Sequence, residues 1–236
     1  MKTKRSVAPK FWSIPRKMKT FTVTTSSGPH SKDLSLPIAV VLRDSLHLVK
    51  NYGEAEMAVK EGKILVDGVV RTNPRFPTGL MDVVDIPSIG KSYRLIPKNG
   101  LPLIPVEIPA DQKSLKLCKI MQKKTITGGR IQYGLHDGRH ILAEDETGLK
   151  PGDVCLIEIP GQKIVRAFRT RKGMSTIVTI GERAGLIGEI VEIRVGTSVR
   201  KPTAVVLFGS SEVEVPTNHL FTLGEDKPVI DVEGSK

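Results

Sequence analysis

The chain is poor in the groups that most site chemistry needs. Its 236 residues hold two cysteines, Cys118 and Cys155. Neither belongs to a CxxC pair, so neither a zinc-finger ligand set nor a disulfide framework can be drawn, and each is expected to act as a small buried hydrophobe in a reducing compartment. Aromatic residues make up 4%. That is too few for stacking on Phe, Tyr or Trp platforms to be the main mode of nucleic-acid binding, which favours recognition of phosphate and shape. No apolar run approaches the roughly 20 residues that cross a bilayer. The basic N-terminus has no apolar core behind it, as a secretory signal would, so a soluble, cytoplasmic protein is expected. Neither GxSxG nor GxxxxGK[ST] occurs, and the glycines of Gly181 to Gly188 lie between expected strands instead of opening a helix. His136 and His140 in HDGRH could serve a metal on a helix, but Asp137 and Gly138 between them favour a turn and no third ligand is evident nearby. No catalytic residue, metal, cofactor, membrane or small-molecule substrate is therefore expected.

What the chain does have is positive charge. Its 36 Lys and Arg against 25 Asp and Glu give +11 and a pI near 9.7, a balance that in a soluble protein points to a polyanion, most often nucleic acid. Lys4, Arg5, Lys10, Arg16, Lys17 and Lys19 all precede the first acid, Asp33. Pro9, Pro15 and Pro29 interrupt any helix there, and TVTTSSG has little to bury. Residues 1–34 read as a basic arm that is unfolded until it meets its partner. Phe11 and Trp12 break the charge and either wedge into an RNA groove or pack on the body, packing being favoured.

Residues 35–90 hold the strongest local pattern. A helix is predicted from near Ser35, with Pro37 in its first turn and Ile38, Leu42, Leu46 and Val49 as its core stripe. Arg43, His47 and Lys50, spaced by four and three, form a second, basic stripe about 100° round. A short helix follows from Glu54, packing Ala55, Ala58 and Val59 and ending at Gly62. Ile64 to Val66 and Val69 to Arg71 flank Asp67 and Gly68, a type I′ hairpin signal. Lys60, Lys63, Arg71 and Arg75 gather round that hairpin, and Val83 to Ile86 closes the unit.

From 91 to 172 short alternating segments between turns predict a small β domain, with one possible helix in Ala110 to Lys123. Arg166, Arg169, Arg171 and Lys172 end it in a second basic cluster. Residues 173–211 read as further strands around the Gly181 to Gly188 bend, and 212–236 as an edge strand and a mildly acidic tail. The class is α+β: a two-helix and β-hairpin RNA-binding module, a β-rich central domain, then a small barrel.

Several strings go beyond these general rules. SGPH at Ser27 to His30, SLPI at Ser35 to Ile38, LRD at Leu42 to Asp44, VDGVVRT at Val66 to Thr72 and FPTGLMDV at Phe76 to Val83 resemble the alpha-L RNA-binding motif as it stands in the archaeal and eukaryotic four-e family of the small ribosomal subunit. Residues 173–211 resemble a KOW motif, an SH3-like barrel, with Gly188 at its characteristic glycine, Arg183 in its loop and Ala184 where a lysine is usual. The resemblance implies a structural protein in the cytoplasmic ribosome that clamps folded rRNA beside neighbouring ribosomal proteins. The alternatives are an RNA-modifying enzyme of the pseudouridine synthase type, which carries the same two-helix motif, and a transcription factor that uses the KOW-like unit.

Overall fold

In a computed structural model, which describes residues 2–143, 148–197, 200–225 and 227–232, the chain divides into two compact units. The first comprises residues 1–96 and 103–114. Strands β1 (Lys2–Lys4) and β2 (Phe21–Val23) pair antiparallel at the start of the chain. Between them Trp12, Ile14 and Ala8 are buried, and the Trp12 indole N–H donates to Ser35 O at 3.0 Å. The arm is thus folded, contrary to the expectation from its charge. A few apolar side chains suffice because the arm lies on an existing body and does not need a core of its own.

Strand β3 (Leu36–Pro37) leads into helix α1, whose α-helical turn Ile38–Val40 continues as a π turn, Val41–Ser45. The helix starts three residues later than predicted and ends sooner. Leu46 N–H donates to Val41 O, and His47 turns the chain with φ +52°. Arg43, His47 and Lys50 therefore do not form a helical stripe. Helix α2 (Tyr52–Lys60) opens on Asn51, whose Oδ1 accepts from Glu54 N–H, while the Glu54 carboxylate accepts from Lys50 N–H. Asn51 thus satisfies one orphan donor of the first turn while Glu54 holds the residue before the cap, and Gly62 at φ +74° ends the turn that follows. Ile38, Leu42, Ala55, Val59, Ile64 and Val84 form the core, with Leu46 and Val49 against it.

Strands β4 (Leu65–Val66) and β5 (Val69–Val70) turn at Asp67 and Gly68, both at positive φ, as the dipeptide predicts. Then come β6 (Pro77–Thr78), paired with β3, and β7 (Val83–Ile86). Sequence alone groups residues 91–172 in one domain. Instead β8 (Lys91–Lys98) and β9 (Leu101–Ile108) complete a sheet ordered β5-β4-β7-β8-β9, most of it in the first unit. Pairing between strands distant in sequence decides membership here, and local patterns do not register it.

The second unit holds residues 97–102 and 115–232. Strands β10 (Leu115–Thr125), β11 (Ile131–Leu135), β12 (His140–Ala143), β13 (Val154–Glu158) and β14 (Lys163–Phe168) form a sheet ordered β12-β11-β10-β13-β14. The possible helix in Ala110 to Lys123 is thus mostly strand. Residues Lys116–Cys118 are buried in succession on β10, because the unit covers both faces of this stretch, and two-faced burial erases the period-2 signal. Strands β15 (Ser175–Val178), β16 (Ile187–Arg194), β17 (Thr203–Phe208), β18 (Ser211–Pro216) and β19 (Leu220–Gly224) make a second sheet ordered β18-β17-β16-β15-β19. The edge strand predicted from Glu212 is β18, and the tail beyond it supplies β19, which pairs with β15. The Lys119 ammonium donates to Thr217 O and Leu220 O, and burial pulls its pKa down to about 8.

Candidate nucleic-acid interface

The residues that pin the first unit come from the string with no evident physical reason in sequence. In FPTGLMDV the Thr78 hydroxyl donates to Leu36 O at 2.8 Å. The His30 ring lies over Gly79 so closely that a Cβ there would meet it at 2.4 Å, and its Nε2 reaches the Asp82 carboxylate at 3.0 Å. Asp82 also accepts from Gly79 N–H. A second close approach, Gly28 on Pro77, would put a Cβ 2.5 Å from the proline ring. The strings SGPH and FPTGLMDV are thus two halves of one interlock, which seats the folded arm on the helical module.

Between the arm and that module opens a cleft of about 1100 Å³. Six of the predicted RNA-binding residues line it: Arg5, Lys19, Arg43, His47, Lys50 and Arg75. The one carboxylate in the lining, Asp44, is paired with Arg43 at 2.6 Å. The turn at His47 achieves what a helix was expected to do, since it keeps Arg43, His47 and Lys50 on one surface after the helix has ended.

The predicted basic residues are not equivalent. Arg5 is buried, its guanidinium donating to the carbonyls of Pro15 and Phe21, and Arg16 donates to those of Arg5, Ala8 and Pro9. Both staple the arm, so much of their hydrogen-bonding capacity is spent inside the protein. Lys4, Lys10, Lys17, Lys19 and Lys50 are exposed and have no ion-pair partner among the described residues. Lys60 and Lys63 pair with Glu56 and Glu61 on the surface. The Arg71 guanidinium stacks 4.3 Å from the centre of the Phe76 ring, and Arg75 Nε donates to Thr24 O.

In the second unit Arg169, Arg171, Lys172 and Arg183 are exposed, Arg171 lying 3.8 Å from Glu225. The main chain of the loop bearing Arg183 is occupied. Ala184 O accepts from Gly100 N–H, and a Cβ on Gly185 would meet Lys98 Cα at 2.5 Å. Gly188 is as tightly held, 2.4 Å being the distance from its would-be Cβ to Leu207 O.

The HDGRH segment does form a turn, with Gly138 at φ +75°. The structure brings Cys118, His136 and Asp137 donor atoms within 4.8 Å of one another, a grouping that sequence spacing does not reveal. Their partners are internal. Lys116 and Arg139 pair with Asp137 at 2.8 and 3.5 Å, and Lys119 N–H donates to His136 Nδ1. Burial pushes the Asp137 carboxyl up, but Lys116, His136 and Arg139 around it and the Lys116 hydrogen bond outweigh it and hold the pKa at about 2. A cation would compete with two resident ones, so the cluster is a buried ionic network. Burial and then Asp137 push the Cys155 thiol up to about 12, which leaves it unreactive.

Sequence reasoning missed the apolar part of the cleft. Met18, Phe21, Val49 and Tyr52 line it beside the cations, and Phe21 is 51% exposed. No signal in the TVTT run could have found it, because Thr22 and Thr24 are buried while Phe21 faces out, an inversion of the usual sheet alternation.

Comparison with known proteins places the chain among ribosomal proteins. The chain matches the family model described as ribosomal family S4e over residues 89–164 and the RS4NT domain over residues 1–33. It is 38% identical to small ribosomal subunit protein eS4 of Methanosphaera stadtmanae over 98% of this chain and 95% of the relative. With the protein of the same name from Methanothermobacter thermautotrophicus it shares 39% identity over 99% and 96%. The crystal structure of 30S ribosomal protein S4e from Thermoplasma acidophilum superposes with a TM-score of 0.71 at 29% identity, covering 82% of this chain and 97% of that one.

Proposed function

The chain belongs to the S4e family of small-subunit ribosomal proteins, and on that premise we propose that it holds folded rRNA chiefly through the basic cleft of its first unit. Its role in the ribosome is structural; the pseudouridine synthase alternative drops out, because the family is not one of enzymes. The observation that supports this docking face is the convergence of Lys19, His47, Lys50 and Arg75 on one cleft whose single carboxylate among the described residues, Asp44, is paired with Arg43. Such a surface repels acidic partners least and attracts phosphate most, and each phosphate it neutralises releases counterions. Arg5 and Arg16 serve by shaping the arm. Arg169, Arg171, Lys172 and Arg183 in the second unit, together with Lys60, Lys63 and Arg71 near the hairpin, add secondary contacts to rRNA or to neighbouring ribosomal proteins.

The finer fold reading, an alpha-L module followed by a KOW-like barrel, is part of this proposal. It draws support from the helix pair with its Asp67–Gly68 hairpin and from the tight packing at Gly188. Co-sedimentation with small ribosomal subunits tests the role. Stable association through a sucrose gradient is expected, and recovery only as free protein contradicts it.

A further inference from the structure

The chain's aromatic residues are few and nearly all covered. Among the described residues, Phe21 is the single Phe, Tyr or Trp that is more than a third exposed. It lies in the basic cleft, whose lining also includes a second ring, Tyr52, that is only half-buried. Phosphate recognition has no use for an exposed ring, so cations account for only part of what this cleft presents.

We propose that the cleft receives one unpaired nucleotide of the bound rRNA. Its base stacks on Phe21 with Tyr52 beside it, and the flanking phosphates meet Arg43, Lys50 and Arg75. This rests on the rRNA-binding reading above and specifies what that site takes. Four features favour this occupant. The volume, about 1100 Å³, slightly exceeds the usual range of ligand pockets and leaves room for a nucleotide with its neighbouring phosphates. Apolar walls with cations around them match a base between two phosphates, whereas a duplex backbone would meet the rings with ribose and charge. RNA bases that are read by proteins are generally splayed from loops and bulges and stacked on aromatic or guanidinium planes. Finally, the surplus of cations over the one neutralised carboxylate selects a polyanion over a peptide of mixed charge.

The test is filter binding of the full chain to in vitro transcribed small-subunit rRNA, comparing the wild type with Phe21→Ala and Phe21→Trp. Phe21 is on the surface, so melting should hold. Loss of one stacked base is expected to weaken binding by about tenfold with the salt dependence unchanged, and Phe21→Trp should restore affinity. Unchanged affinity in Phe21→Ala overturns the proposal, as does equal weakening by both substitutions, since a ring needed only for packing would not be replaced by a larger one. If Phe21→Ala leaves rRNA affinity intact but loosens co-sedimentation with the subunit, the face takes a protein neighbour and the proposal falls. Arg43→Glu with Lys50→Glu separates the two claims. A loss there without a loss in Phe21→Ala leaves rRNA binding standing and removes the nucleotide; no loss in either removes both.

Discussion

The two units of the chain use their positive charge differently. In the first, Lys19, Lys50 and Arg75 converge on one cleft, and no acid precedes Asp33. Acids pair with Arg43, Lys60, Lys63, Lys91 and Lys113 in the first unit as well, but the second has a pair with both partners almost fully buried, Lys116 with Asp137. Lys116 and Arg139 share Asp137, Arg166 and Arg171 share Glu225, and Arg194 lies between Glu192 and Glu214. The exposed Lys172 and Arg183 there lie on separate loops. Desolvation explains why the same residue types differ in effect. A buried pair has already lost its water, so its partners determine whether the unit folds. An exposed ammonium keeps its water and its counterions, and releases them only when a polyanion arrives. Net charge alone conceals this division.

The largest effect is expected where the second unit's pairing is broken at its buried centre. Lys116→Ala strands the Asp137 carboxylate, which is 2% exposed, and should cost about 3–5 kcal/mol of unfolding free energy in urea; a loss below 1 kcal/mol would mean that water or Arg139 replaces the lysine. Acid should attack the same point more gently. Because the Asp137 pKa is lowered from 3.8 to about 2, its contribution is complete above the unfolded value and disappears as pH falls from about 4 to 2. The loss is on the order of 2 kcal/mol, and Asp137→Asn should remove that part of the pH dependence. The smallest effect is expected at the surface. Arg166 and Glu225 are each about half exposed, so Glu225→Gln should change stability by less than about 1 kcal/mol. A larger change would make the surface pairs structural as well and weaken the contrast between the units.

How far the sequence can be read depends on the range of the interactions concerned. The Asp67–Gly68 turn was legible because positive φ at two adjacent residues is a local demand. So was the class of the cleft's charge, since the basic residues of the arm and of residues 43–75 stand out individually. The end of α1 was not legible. A π turn and a left-handed His47 are imposed by Leu46 and Val49 seeking the same core from a chain that has left the helix. Nor was the folded arm, because Trp12 finds its hydrogen-bond partner at Ser35, 23 residues away. FPTGLMDV was conspicuous without being explained until His30 was found over Gly79 and against Asp82. The apolar wall of the cleft joins Phe21 to Tyr52, and no local pattern reports such a meeting.

The division of charge is tested most directly by the salt dependence of rRNA binding in two double variants, Arg43→Glu with Lys50→Glu in the first unit and Arg171→Glu with Lys172→Glu in the second. The logarithm of affinity is plotted against the logarithm of salt concentration. The account predicts that the first pair lowers the slope by about 2 and weakens binding strongly at a temperature where the variant, which also unpairs Asp44, is still folded, while the second pair has the smaller effect on both. Equal slopes in the first variant and the wild type, or a larger loss from the second pair, would contradict it.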